Sequence, residues 1–290
     1  MENNTQLKEM IRSMVIDILQ GQKQEMASSQ PIKQAPRGQV EPGVFDTVDE
    51  AIQAAKAAQA RFEDCTLATR EKVIADIRAA MRPRVQELAQ KTVDETGMGR
   101  VADKVLKLNL TLNKTPGVED LVTECETGDN GMTLYELSAY GVIGAITPST
   151  NPAETLICNS IGMLAAGNAI FFSVHPGAKN LSRELVSELN QVIAKSIGIE
   201  NLIVTLREPS IESAQEMMLH PDVSLLVVTG GPGVVKQALQ SGKKVIGAGA
   251  GNPPAFVDET ADIKKAAQDI VLGASLDNNI LCIEIGRAHV

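Results

Sequence analysis

The chain has 290 residues, with 43% hydrophobic and 22% charged residues, which is typical of a globular protein of one large or two ordinary domains. It contains no Trp, two Tyr and five Phe and has a net charge of -9, so binding to nucleic acid or to an anionic membrane is not expected. Its four cysteines form no CxxC pair, which argues against a zinc site or a disulfide framework and indicates a cytoplasmic protein without a metal.

Residues 4–20 are predicted to form an amphipathic helix that is too short and too polar to span a membrane. A helix of this length is marginal in water, so it docks either on its own domain or on a partner. Residues 21–43 are rich in Gln, Ser and Pro and are predicted to be a disordered linker. The apolar positions of the helix are Leu7, Met10, Ile11, Met14, Val15, Ile18 and Leu19.

From Val44 onward the pattern predicts an α/β fold. Apolar β runs alternate with helices, which favours a parallel sheet covered by helices on both faces. Helices are predicted at 47–61, 67–97 and 101–113, a β-rich stretch follows at 132–147, and further helices are predicted at 152–166, 178–196, 210–219, from Pro232 and at 261–274. The predicted strands are GVIGAI, AIFFSV, NLIVTL, SLLVVT, KKVIGA and PAFV.

The turn TPSTNPAE, residues 147–154, begins a helix with Pro152 at its first position. Asn151 can cap this helix, and Glu154 stands where a capping box places its acidic residue. A helix N-terminus beside polar groups also stabilises a phosphate or an oxyanion. Capping alone is the simpler interpretation.

Two glycine-rich stretches follow predicted strands. VTGGPGVV and GAGAGNPP lack the GxGxxG spacing, and no acidic residue follows at the distance expected for a ribose contact. Tight packing of a strand against a helix explains the glycines of VTGGPGVV as well as dinucleotide binding does. GAGAGNPP has so few side chains that a bulky group is expected to pass near it.

Together, these motifs resemble the CoA-acylating aldehyde dehydrogenases of bacterial microcompartments, of the propionaldehyde and acetaldehyde type. The resemblance runs from about residue 44 to residue 283 and implies an aldehyde dehydrogenase-like fold. Its Rossmann-like NAD-binding domain is expected at 44–265 and the start of a truncated catalytic domain at 266–283. The motifs are ETGMGRVADK, TPGVEDL, TGDNGMTL, TPSTNP, AAGNAIFFSVHPGAK, VTGGPGVV, GAGAGNPP, VDETAD and GASLDNNILC.

By this resemblance Cys282 is the catalytic nucleophile, which forms a thioester with the acyl group. The oxyanion is expected to be held by the Cys282 backbone N–H and by a side chain of the TPSTNP turn. Hydrolytic relatives have Pro-x-Asn-x-Pro there, whereas this chain has Thr150 in the asparagine position and Asn151 one residue later, so both stay candidates. The remaining cysteines are interpreted as small buried hydrophobic residues: Cys65, Cys125 and Cys158.

Two further departures from the hydrolytic relatives concern the acyl acceptor and the cofactor. Gly247 stands where they have a glutamate that activates water, so the thiol of coenzyme A, with a pKa of about 8.5, is the expected acceptor. They also carry Lys-Pro-x-Glu where this chain has residues 175–178, so the acidic ribose contact is missing, NAD is expected and NADP stays open. The candidate cofactor-binding residues are Thr147, Pro148, Ser149, His175, Pro176, Gly177, Thr229, Gly230, Gly231, Gly233, Gly247, Ala248 and Gly249.

The resemblance therefore predicts NAD-dependent oxidation of propionaldehyde or acetaldehyde to an acyl-CoA. It also implies a homo-oligomer at full length, a location inside a microcompartment, and binding of residues 4–20 to shell or core proteins. An acyl-phosphate reductase of the same fold is one alternative, although GAGAGNPP and DNNILC argue against it. A non-catalytic nucleotide-binding or encapsulated protein is another.

The last seven residues, EIGRAHV at 284–290, match nothing in the family. They do match a translation of GAGATCGGAAGAGCACACGTC, which contains the start of a common sequencing adapter. We therefore expect residues 284–290 to be non-native, and we expect the 290-residue chain, which ends soon after the nucleophile, to be inactive by itself.

Overall fold

The computed structural model describes residues 41–249, 251 and 253–281. The predicted helix at 4–20, the candidate nucleophile Cys282 and the tail 284–290 lie outside these residues, as does most of the predicted linker.

Residues 41–43, at the end of the predicted linker range, pack against the folded region. The Glu41 carboxylate accepts hydrogen bonds from Arg183 at 3.1 Å and Arg207 at 3.0 Å. Gly43 is buried with φ 77°, and a Cβ there would collide with the side chain of Asn190. The close approach of this turn therefore requires glycine.

The central sheet is parallel, which confirms the predicted α/β class. Its strand order is β1-β6-β5-β4-β7-β8, and each neighbouring pair runs in the same direction. β4 and β5 are buried along their whole length, so they read as continuous apolar runs instead of alternating ones. The strands of this sheet are β1 (Val44–Phe45), β4 (Val142–Ile146), β5 (Ala169–Ser173), β6 (Ile203–Leu206), β7 (Val223–Thr229) and β8 (Lys244–Ala248).

Helices cover the sheet and bury an aliphatic core with Phe62, Phe171 and Phe172 as its largest aromatic members. None of these helices has the length and apolar character that a membrane crossing requires. Their bounds are α1 (Val48–Glu63), α2 (Leu67–Met81), α3 (Val85–Thr96), α4 (Val101–Lys114), α5 (Pro152–Ala165), α6 (Lys179–Ile197), α7 (Ile211–Leu219), α8 (Pro232–Gln240) and α9 (Ile263–Ser275).

The single helix predicted at 67–97 is wrong. The segment is two helices, α2 and α3, joined by a 3₁₀ turn at Arg82–Arg84. Pro83 lies in this turn, where its ring and its missing N–H prevent a continuous α-helical ladder.

The strand predicted at PAFV is also wrong, and the β-rich stretch begins earlier than expected. Residues 254–257 pair with no described strand, and Phe256 is 90% exposed, because the sheet ends at β8. Before β4, an antiparallel hairpin of β2 (Glu124–Gly128) and β3 (Gly131–Tyr135) forms a separate ribbon exposed on both faces.

The predicted domain boundary between residues 265 and 266 falls inside α9, which runs unbroken from Ile263 to Ser275. The preceding segment is a loop whose turn at Asp258–Ala261 carries a backbone bond from the Ala261 N–H to the Asp258 carbonyl oxygen at 3.0 Å. Asp262 is the N-cap of the helix, and its side chain accepts a hydrogen bond from the Lys265 N–H.

Candidate functional site

A cavity of about 460 Å³ opens at the carboxyl ends of four parallel strands. The chain places β5 and β6 on one side of β4 and then returns to place β7 and β8 on the other side. Such a switch point leaves a crevice outside the strand ends, which is where ligands bind in open α/β sheets. The lining is Ile146, Thr147, Pro148, Ser149, Thr150, Asn151, Thr155, His175, Thr229, Gly230, Gly231, Val234, Ala248, Gly249 and Ile280.

The structure brings most of the candidate residues together at this cavity. The turn after β4 contributes 147–151, β5 is followed by His175, and the ends of β7 and β8 contribute 229–231 and 248–249. The other lining residues were not predicted from the sequence: Ile146, Thr155, Val234 and Ile280.

Four candidates do not line the cavity: Pro176, Gly177, Gly233 and Gly247. The Gly177 N–H donates to His175 Nδ1 at 3.1 Å, so it fixes the imidazole ring. Gly247 lies within β8 opposite Val228, and a Cβ on it would stand 3.0 Å from Val235 Cγ1. The glycine therefore allows α8 to pack closely on the strand.

The cavity offers groups that fit a dinucleotide. Thr147 Oγ1 is buried and has no hydrogen-bond partner among the described residues. Gly231 caps α8, which then begins with Pro232, and a Cβ on Gly231 would meet nothing within 4 Å. A helix N-terminus with an open backbone can accept a pyrophosphate. These residues could therefore hold a nicotinamide dinucleotide.

Asn151 does not cap α5, and the predicted capping box is wrong. Asn151 Oδ1 instead accepts hydrogen bonds from Lys104 Nζ at 3.2 Å and from Lys107 Nζ. Lys104 Nζ also donates to the Thr150 carbonyl oxygen. Charge-assisted hydrogen bonds from two ammonium groups are stronger than the hydrogen bond that a capping side chain accepts from a backbone N–H. The Asn151 side chain therefore binds the lysines instead of capping α5.

Asp277 is fully buried and neutralises the same two lysines. Its Oδ2 accepts from Lys107 Nζ and lies 3.0 Å from Lys104 Nζ, and its Oδ1 accepts from the Arg100 N–H at 2.9 Å. The Asp277 N–H donates to Asp103 Oδ2 at 2.9 Å. Burial opposes ionisation of Asp277, but the bonds from Lys107, Arg100 and Lys104 outweigh it and hold its pKa below the ordinary value.

The residues around Asp277 adopt an unusual backbone. Asp277, Asn278 and Asn279 have φ values of 50°, 55° and 62°, all in the left-handed region. Asp and Asn tolerate this region better than other residues with a Cβ, but three in succession still store strain that the surroundings must offset. Asn278 Nδ2 donates to the Gly99 carbonyl oxygen at 3.3 Å, and a Cβ on Gly99 would collide with the Asp277 carboxylate.

Glu154 is the fourth ionisable residue of this cluster. Its carboxylate is buried, neither oxygen has a hydrogen-bond partner in the described structure, and Oε1 lies 3.7 Å from Lys107 Nζ. Burial raises the pKa of Glu154 in spite of Lys107 and Lys104, and burial likewise lowers the pKa of Lys104. We refer to Lys104, Lys107, Glu154 and Asp277 as the buried ion cluster.

The buried ion cluster was not predicted from the sequence, although the sequence contains one signal for it. Lys104, Leu108 and Leu112 recur every four residues along α4, which puts Lys104 on the buried face with the two leucines. Lysines are almost never fully buried unless they are paired. A lysine at such a position therefore indicates a hidden anion.

The interpretation of the three other cysteines as buried hydrophobic residues is wrong for two of them. Cys125 is exposed because the hairpin that carries it has no covered face, and Cys158 lies on the exposed side of α5. Cys65 is half-buried, and its Sγ lies 3.8 Å from the Arg61 carbonyl oxygen. Within the described residues, no group of three or more His, Cys, Asp or Glu is arranged to hold a metal ion.

A second groove, of about 530 Å³, is lined by residues of α6 together with Arg84 of the 3₁₀ turn and Glu41. Arg84 pairs with Glu184 at 2.7 Å and with Glu188, and Arg183 pairs with Glu41. Because these charges pair with one another, whereas the cavity at the strand ends gathers most of the candidate residues, the cavity is the better candidate site.

Known proteins resemble this chain over most of its length. A family model described as "Aldehyde dehydrogenase family" matches residues 18–290. The "Propanal dehydrogenase (CoA-propanoylating)" of Salmonella typhimurium is 50% identical over 281 residues, covering 97% of this chain and 58% of that protein. The "Acetaldehyde dehydrogenase (acetylating) EutE" of Escherichia coli K12 is 50% identical over 245 residues, covering 84% and 52%.

A solved structure shows the same fold. It is a propionaldehyde dehydrogenase from the fucose utilisation bacterial microcompartment of Clostridium phytofermentans, with 50% sequence identity and a TM-score of 0.82. The match covers 84% of this chain and 56% of that one. These findings confirm the resemblance drawn from the motifs, and the chain spans little more than half the length of its relatives.

The raised pKa of Glu154 predicts a pH-dependent effect of Glu154→Gln on stability. The folded state holds this proton at pH values above 4.5 at which the unfolded chain has released it, so wild-type stability is lost as pH rises from 4.5 through the folded pKa. In urea unfolding, the free energy of unfolding of the variant minus that of the wild type should increase as the pH is raised above 4.5. Glu259→Gln, at an exposed position, is the control. A difference that stays constant with pH would contradict the prediction.

Proposed function

This chain belongs to the aldehyde dehydrogenase family, and we propose that it forms the nucleotide-binding part of an enzyme that oxidises propionaldehyde or acetaldehyde to the acyl-CoA. We place the nucleotide-binding part at residues 44–262, so that α9 begins the catalytic part without being divided. Support comes from the two curated relatives, whose names describe CoA-propanoylating and acetylating dehydrogenases.

The chemistry that we propose proceeds through the Cys282 thiolate. It adds to the aldehyde carbon, and the carbonyl oxygen becomes the oxyanion of a hemithioacetal. Loss of hydride from that carbon re-forms the carbonyl and leaves an acyl thioester on Cys282. A nicotinamide dinucleotide held by Thr147, Gly230 and Gly231 would supply the acceptor for this hydride. The thiolate of coenzyme A then attacks the thioester, and Cys282 leaves as a thiolate, ready for another cycle.

The observation that carries this proposal is the composition of the cavity lining. Among the described residues that line it there is no Asp or Glu, so no carboxylate is available there as a general base for water. Water has a pKa of about 15.7 and requires such a base, whereas a thiol with a pKa of about 8.5 supplies some thiolate unaided. The lining therefore favours acyl transfer to coenzyme A over hydrolysis.

We assign the side-chain oxyanion donor to Thr150. The lysines hold the Asn151 side chain through Oδ1, and Asn151 Nδ2 gives one of its two N–H protons to Thr150 Oγ1 at 3.3 Å. Since the Thr150 oxygen accepts this bond, its own proton is available to an oxyanion in the cavity. The second donor remains the Cys282 backbone N–H, as the family resemblance implies.

NAD is the proposed hydride acceptor. Thr147, Gly230 and Gly231 are its proposed contacts, because they combine an unpartnered buried hydroxyl with an open helix N-terminus. The lining carries no carboxylate to repel a ribose 2′-phosphate, so NADP is compatible with the same residues.

We also propose that the enzyme works as a homo-oligomer inside a bacterial microcompartment, to which residues 4–20 direct it by binding a shell or core protein. The similar solved structure comes from such a compartment. The β2–β3 hairpin exposes Met132 and Leu134, which suits contact with a second copy of the chain.

Cys282→Ser tests the proposed reaction in the full-length gene product. The variant should lose CoA-dependent NADH formation from propionaldehyde, because a serine hydroxyl is far less ionised than a thiol, and it should still bind NAD in a calorimetric titration. Cys158→Ser, at an exposed position of α5, is the matched control and should keep its activity. Retention of most activity by Cys282→Ser would show that another residue is the nucleophile.

Deletion of residues 1–20 from the full-length gene product tests the proposed partner. The truncated enzyme should no longer co-purify with microcompartments but should keep its activity in solution, because the cavity residues lie far along the chain from the deletion. A deletion of the same length from the linker, residues 21–40, is the control. Unchanged co-purification of the enzyme that lacks residues 1–20 would refute the role of the predicted helix.

A further inference from the structure

The buried ion cluster connects two segments that the proposed reaction brings together. Lys104 and Lys107 stand one turn apart on α4, and each contacts both the turn at 150–151 and the carboxylate of Asp277. The turn carries the proposed oxyanion donor. Asp277 precedes the proposed nucleophile Cys282 by five residues, and Ile280 between them lines the cavity.

Stability alone does not explain such a cluster. Removing ionic groups from water is costly, and replacing a buried ion pair with well-packed apolar residues often leaves a protein equally stable or more stable. The geometry at Asp277 is nevertheless specific. Its two oxygens receive bonds from a backbone N–H and from two ammonium groups, and its own N–H is held by Asp103.

This arrangement also offsets the strain in the backbone. Asp277–Asn279 turn through three left-handed residues immediately before the chain reaches the cavity at Ile280. Such strain persists only where the surroundings over-determine the conformation, and it is often found at functional sites. The bonds to the Asp277 carboxylate and to its backbone N–H hold the segment in this conformation.

We propose that Asp277 is a positioning residue, which, through Lys104 and Lys107, fixes the segment leading to Cys282 relative to the oxyanion donor on the turn at 150–151. The inference rests on the proposed function, because Cys282 and Thr150 have these roles only in that reaction. It adds a second requirement for catalysis, a buried carboxylate that does not contact the substrate.

Asp277→Asn in the full-length gene product is the first test. The amide keeps the shape of the side chain but cannot neutralise the two lysines, so the segment should lose its fixed position. A small displacement of a reacting group costs on the order of 10²-fold in rate, so kcat for CoA-dependent NADH formation should fall by about that factor. KM for NAD should stay within about twofold, since the proposed cofactor contacts follow β4 and β7, outside the segment that carries Asp277.

Asp269→Asn is the matched control, because it breaks the exposed Lys265–Asp269 pair on α9 by the same substitution. It should leave kcat and KM unchanged. The double variant Asp277→Asn, Lys107→Met separates positioning from stability. It removes one positive and one negative charge together, so its thermal unfolding midpoint should return towards that of the wild type. Its kcat should stay low, because the connection between the two segments is still missing.

Several results would overturn the proposal. Wild-type kcat in Asp277→Asn would do so, and so would recovery of both stability and kcat in the double variant. Failure of both variants to fold would show that the cluster is required for the fold itself. An inactive wild-type enzyme would refute the proposed function, and this inference with it, whereas an active wild type with an equally active Asp277→Asn would refute the inference alone.

Discussion

Burial of two lysine ammonium groups on α4 is the constraint on which the rest of the site depends. A charged group removed from water requires partners that replace its hydration, and Lys104 and Lys107 find them in Asp277, Glu154 and the turn at 150–151. Because these partners come from distant parts of the chain, satisfying the lysines brings the start of α5 and the segment after α9 to one place.

The parallel sheet provides the other half of the site. Reversal of the strand order at β4 opens the cavity at the strand ends, and the described residues that line it include no Asp or Glu. The acids near the cavity, Glu154 and Asp277, are directed into the buried ion cluster. These acids therefore lie apart from the residues that line the cavity, and this separation fits the proposed transfer to a thiol better than hydrolysis.

Local sequence patterns predicted much of the fold, because strands such as AIFFSV and helix starts such as Pro152 depend on neighbouring residues. The same patterns also predicted most of the residues that line the cavity, since the loops that follow parallel strands meet at one edge of the sheet. Pro83 indicates a break between α2 and α3, but the apolar periodicity on both sides of it favoured the prediction of one continuous helix. The role of Asn151 was not readable, because the lysines that take its side chain lie more than 40 positions away, and Lys107 and Asp277 are 170 positions apart.

Amide hydrogen exchange across residues 276–281 is the most direct measure of whether the buried lysines hold this segment. The comparison is between the wild-type chain and Lys107→Met, with Lys264→Met, at an exposed position of α9, as the control. If the ammonium group fixes the left-handed turn, exchange in 276–281 should be faster in Lys107→Met, while peptides from β4 and β5 keep wild-type protection. Equal exchange of residues 276–281 in the wild type and in Lys107→Met would contradict the central role of the buried ion cluster.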